Sequence, residues 1–124
     1  MKQGRFYLGK TGRCIWRDVK VMEYFPQRLV GMLYLRVASP QRAFWFPRCS
    51  SVHTWGMRFA IDVIGLDKHQ RIQTVIRNVQ PANVVRLVNV DSIIECEAGC
   101  PLPLELWQGE ALEFMSKEVC YEDS

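Results

Sequence analysis

The chain has 124 residues, 48% of them apolar and 23% charged, with a net charge of +3. That size fits one domain, residues 1–124, with a core of ordinary extent, and the composition is ordinary for a soluble globular protein. No apolar run reaches the roughly 20 residues that cross a bilayer, and the start MKQGRFYLGK has no apolar stretch of the secretory kind, so the expected compartment is the cytoplasm.

In chain order, RFYL (5–8) reads as a short strand, GKTG (9–12) as a turn and RCIWRDVKV (13–21) as a returning strand. FPQRLVGMLYL then changes period. Leu29, Met32, Leu33 and Arg36 fall at helical spacing, Pro26 suits a first turn, and Gly31 keeps the helix short at a cost of about 1 kcal/mol relative to Ala. ASPQR is a loop and AFWF (43–46) a strand. FAIDVIGL is apolar at both parities, which predicts a strand covered on both faces. DKHQ (67–70) and RIQTVIRNV complete a hairpin, Pro81 and Asn83 interrupt the pattern, and SIIECEAG is a further strand ending at a glycine. PLPLELWQGE is a helical turn or loop, and ALEFMSKEV closes the domain as a last strand, with residues 117–124 as an acidic tail. The expected fold class is α+β, mainly antiparallel β. About seven strands form a compact curved sheet or barrel-like body with one short helix and a helical turn.

The cysteines, Cys14, Cys49, Cys96, Cys100 and Cys120, are odd in number, and in a reducing compartment they stay free thiols. Cys96 and Cys100 form a lone C-x3-C beside a turn at Gly99 and Pro101. With no second pair and only two histidines, no metal site or cofactor is expected, and the two thiols read as small residues at a strand end. Up to residue 90 there are fifteen Lys/Arg against four acids, and from Asp91 onward nine acids against Lys117. Such a split can signal nucleic-acid binding. The basic residues are dispersed, however, and the late acids alternate with apolar residues, so the reading preferred is opposite charges facing across a sheet.

The stretch CSSVHTWGMRFAID (49–62) concentrates the chemistry. His53 titrates near neutrality and could be an acid, a base or a ligand. On a straight strand, Asp62 would lie ~30 Å from it at ~3.3 Å per residue. They meet only through a bend at Trp55-Gly56; otherwise Asp62 needs a partner from another strand. Asp62 sits in an apolar run, so it either accepts hydrogen bonds from buried amides or faces a wet pocket. Thr54 is a candidate neighbour, whereas Arg58 on the same strand is ~13 Å away. Cys49 beside Arg48 could be an activated thiol if His53 came within reach. Trp55, Met57 and Phe59 share parity with His53 and read as core or pocket wall.

The pieces also have a family likeness. The sequence Cys49-x-Ser51-Val52-His53-Thr54-x-x-Met57-Arg58-Phe59-x-Ile61-Asp62-Val63-Ile64-x-Leu66-Asp67, followed by Ile94-Glu95, Ala98-Gly99 and Gly109-Glu110 in order, resembles the domain of unknown function 192 family over residues 13 to 116. Departures are Gly65 in place of an aromatic, Gln70 in place of a turn glycine, and Gly109-Glu110 in place of Gly-Asp; Gly65 is expected to leave a small hollow. The resemblance implies a compact β-rich prokaryotic domain with a surface near the H-T-x-x-M and I-D motifs, and it brings no activity.

Three functions compete. The preferred one is a non-enzymatic module whose surface at His53, Thr54, Met57, Asp62, Cys49 and Arg58 holds a small molecule or a protein segment, as a monomer or weak dimer without membrane contact. The second is a hydrolytic or metal-assisted enzyme using His53 with Asp62 or Cys49. The third is a nucleic-acid binder, which would show steep salt dependence and is disfavoured.

Overall fold

The computed structural model describes residues 2–23, 41–55 and 57–117. They contain strands β1 (Gln3–Leu8), β2 (Arg13–Val21), β3 (Arg42–Phe46), β4 (Ser51–His53), β5 (Ile61–Leu66), β6 (Ile72–Val79), β7 (Val84–Arg86), β8 (Ser92–Glu97) and β9 (Leu112–Ser116), with a 3-10 turn at Leu104–Trp107. Seven strands form one sheet in the order β6-β5-β8-β3-β2-β1-β9, while β4 and β7 make a separate two-stranded ribbon. The ladders are antiparallel apart from β2 with β3. The helix expected around FPQRLVGMLYL lies outside the described residues, and so does the acidic tail beyond Lys117. No helix among the described residues is long and apolar enough to cross a membrane.

The described fold is thus mostly β, and the barrel expectation needs correcting. Just before the edge strands β6 and β9 begin, Arg71 and Ala111 form an isolated bridge. The sheet curls enough to touch at that end and does not close. The two short ribbon strands were not foreseen, because three-residue strands carry too little alternation to register.

Alternation sorts the core onto two faces. On one, Phe6, Trp16, Ile64, Leu66, Ile94 and Cys96 pack with Leu102 and Leu104. Phe6 stands opposite Trp16 on β2 and Phe114 on β9, with edge-on ring contacts at 6.3 and 5.4 Å, the geometry that aromatic quadrupoles favour. On the other face Phe44, Ile61, Val63 and Ile93 pack under Val52 and Val85 of the ribbon. Because β5 lies between these two layers, all six of its residues are buried, as its apolar residues at both parities predict. Gly65 leaves no hollow. A Cβ there would fall 2.6 Å from Val90 Cγ2 and 2.9 Å from Leu87 Cδ1, so neighbouring side chains occupy the space an aromatic would take.

The charge split is partly accounted for by pairing. Strand β9 runs beside β1, and Glu105 from the acidic part pairs with Arg77 from the basic part.

Candidate functional site

The ribbon pairs Ser51 with Arg86, Val52 with Val85 and His53 with Val84. Its central valines turn inward, so His53 and Val84 face outward and are exposed. Thr54 fastens this ribbon. It is fully buried, its N–H donates to the Asn83 carbonyl at 2.8 Å, and its Oγ1 donates to the Gln80 carbonyl at 2.8 Å while accepting the Asn83 N–H at 2.9 Å. Its own carbonyl accepts from Ala82 and from Met57 at 3.1 and 3.2 Å. The Met57 bond reaches back three residues and closes a turn at the place where a bend was the condition for His53 and Asp62 to meet; Gly56 itself lies outside the described residues.

That turn breaks the parity expected for Trp55, Met57 and Phe59. Met57 and Phe59 are half-buried on the second core face, but Trp55 is 63% exposed and its ring centroid lies 5.5 Å from that of His53. Trp55 is therefore not a core residue. Arg58 is exposed. Cys49, half-buried, donates its thiol to the Ser51 carbonyl at 3.0 Å, and β4 runs extended between it and His53.

Asp62 has a different setting. It stands opposite Cys96 on β8 and shares its face with Ile64 and Leu66, the side of the sheet away from the ribbon. The structure therefore does not bring His53 and Asp62 together. On β6, Ile76 and Val79 pair with Val63 and Ile61, so Arg77 and Asn78 both oppose Asp62 in a β-bulge. Asn78 takes φ +59, a conformation Asn tolerates, and its N–H donates to Asp62 Oδ1 at 2.9 Å. Oδ2 accepts from Arg77 Nη1 at 2.8 Å and from the Cys100 N–H at 3.1 Å. The carboxylate thus caps buried amides, as one reading of the sequence had it, and its partner does come from another strand.

Arg77 is the residue that sequence reasoning missed. Its remaining donors reach Glu105 Oε2 and Oε1 at 2.7 and 2.9 Å, and the Cys100 and Leu102 carbonyls at 3.0 and 2.8 Å. All five guanidinium N–H groups are used, so Arg77 ties loop 100–105 to the sheet. Its bond holds the Glu105 carboxyl down at about 2. A second missed group is Glu95, paired with Val63 and Phe44 on the ribbon side. Burial pushes its carboxyl up to about 8. The signal for it was present, a lone acid between Ile94 and Cys96.

An open cleft of about 500 Å³ lies between Asp67–His69 and Leu87–Asp91. His69 belongs to the polar turn expected there, its N–H held by Asp67 Oδ1 at 2.8 Å. Among the described residues, no cluster of three metal-ligating side chains occurs.

Two solved structures share the fold. One, from Sinorhizobium meliloti 1021, is described as a "putative transcription regulator"; it is 21% identical, with 91% of this chain and 92% of that one covered at a TM-score of 0.71. The other, from Novosphingobium aromaticivorans DSM 12444, is of unknown function; it is 14% identical, with 90% and 83% covered, also at 0.71. No curated protein matches. The sequence profile of DUF192, described as "Uncharacterized ACR", matches residues 7–114, and the chain belongs to that family.

Proposed function

We infer that this chain is a binding module that recognises an extended, acidic segment of a partner protein on the outer face of the β4–β7 ribbon. The observation that carries this reading is the exposed Trp55 ring resting against His53 beside the exposed Val84. Large aromatics kept in water at such a cost are typical binding anchors. Charge supports an acidic occupant: residues 48–59 and 80–90 contain Arg48, Arg58 and Arg86 and no acid. Backbone supports an extended one, since among the described strands β4 and β7 pair only with each other and each has an edge to offer. In this reading Met57 and Arg58 flank the anchor, and Thr54 and Cys49 hold the ribbon in shape. Asp62 braces the sheet from the far side.

The description of the Sinorhizobium protein makes nucleic acid the natural competitor, and salt separates the two. Labelled acidic peptides and single-stranded DNA are titrated with the full chain between 50 and 200 mM salt, followed by anisotropy. Peptide binding that Trp55→Ala weakens at least tenfold supports the reading. Preferential DNA binding with a steep loss over that salt range overturns it.

A further inference from the structure

The C-x3-C runs from Cys96, inside β8, to Cys100, just beyond the end of that strand. Cys96 and Asp62 are direct cross-strand partners on one face of the sheet, where side chains stand about 5 Å apart. The Cys100 N–H sits on the same carboxylate, 3.1 Å from Asp62 Oδ2. Gly99, at φ +87, turns the chain back between the two cysteines, a conformation other residues rarely adopt. Cys96 and the backbone of Cys100 therefore meet at one buried carboxylate, which sets the two side chains close enough for each to feel the other. Their exposures differ: Cys96 is buried in the core cluster, whereas Cys100 is half-exposed at its edge.

We propose that Cys100 and Cys96 form a redox-active dithiol whose substrate is a hydroperoxide, with Cys100 as the attacking thiol and Cys96 as the resolving one. The Cys100 thiolate attacks one oxygen of the hydroperoxide and the O–O bond breaks. Cys100 becomes a sulfenic acid, and the other oxygen leaves as water or an alcohol after taking a proton. The Cys96 sulfur then attacks the sulfenic sulfur, the S–O bond breaks, water leaves with the Cys96 proton, and an S–S bond forms. Two thiols are oxidised and one peroxide is reduced.

The surroundings suit these roles. The neighbouring Cys96 thiol stabilises the Cys100 thiolate and, against the effects of burial and of the Asp62 charge, the Leu102 amide and the Arg77 charge help to hold the Cys100 thiol down at about 7. Contact with Cys100 and burial push Cys96 well up, so Cys96 keeps its proton until a sulfenic acid is presented to it. Arg77 acts here through its charge and through its clamp on the Cys100 carbonyl, 3.0 Å from Nη1. With all its donors used, it does not bind peroxide.

The test uses the reduced full-length chain. After hydrogen peroxide at pH 7, the expected product has lost two hydrogens, and peptide mapping links Cys96 to Cys100 while Cys14, Cys49 and Cys120 still alkylate. In Cys96→Ser, Cys100 stops at a dimedone-trappable sulfenic acid. As a readout on the unmutated chain, the pH profile of Cys100 alkylation has its midpoint near 7, about 1.5 units below an ordinary cysteine. A midpoint at 8.5 or above, or peroxide oxidation that falls first on another cysteine, overturns the proposal.

Discussion

Arg77 Nη1 lies 2.8 Å from Asp62 Oδ2, with the carboxylate side chain 1% exposed and the guanidinium 30%. One partner is interior and the other sits at the rim, so the two substitutions that break the pair are not equivalent. Arg77→Met strands a buried anion on two amides and should cost about 3 kcal/mol in urea unfolding. Asp62→Asn keeps an acceptor for one amide, leaves Arg77 its bonds to Glu105, and should cost less, about 2 kcal/mol. Equal losses would mean that the pair does not brace the bulge at Asn78.

The Glu95 carboxyl gives stability an unusual pH dependence. Its acidity in the folded chain is weakened by burial to about 8, against an ordinary value of 4.5. Between those values the folded state holds a proton that the unfolded state has released. Stability therefore falls as pH rises from about 5 to 8, by up to roughly 1.4 kcal/mol per unit, and levels off above. Glu95→Met should flatten the profile and be more stable than the parent at pH 8. Urea midpoints from pH 5 to 9 measure this; a rising parental profile would show that Glu95 is paired and ionised.

Gly65 is needed for close approach rather than for backbone freedom. Gly65→Ala presses on Val90 and Leu87 and should cost about 1–3 kcal/mol. Val90→Ala should relieve most of that cost in the double variant. A thermal scan in which Gly65→Ala alone is neutral would show that the segment over β5 yields freely.

Neighbouring His53 and Thr54 should part company. His53→Ala removes an exposed ring and should change stability by less than about 0.5 kcal/mol. Thr54→Val leaves the Asn83 N–H without its acceptor and should cost about 1–3 kcal/mol. Calorimetry of the two variants decides it; a larger loss at His53 than at Thr54 would make the imidazole a structural group.

Much of the fold was legible. Strand β2 matches its expected bounds, and β5 announced its double coverage through apolar residues at both parities, because a strand between two layers has no solvent side. The hairpin at 67–70 was carried by its turn residues. About seven strands left a curved sheet and a barrel-like body both open, because closure depends on edge register, which strand number does not encode. At the candidate site, Trp55-Gly56 was legible as the place where the chain could bend, and the turn after Thr54 falls there. What stayed hidden was which face each residue reaches. A bend can fold two residues together or, as here, leave one on the ribbon that covers the sheet and the other on the sheet's far face. Arg77 was invisible for a related reason: an arginine in an alternating strand looks solvent-facing until a bulge re-aims it.

In the proposed function the ribbon's outer face binds, while the interior around Asp62 only braces the sheet. Amide and indole chemical shifts of the nitrogen-15-labelled full chain, followed during titration with acidic extended peptides, test it most directly. The result expected is movement of the Trp55 indole and of the Val84 and Arg86 amides, with Asn78 and Cys100 unmoved. Shifts centred on Asn78 and Cys100, with the Trp55 indole still, would contradict it.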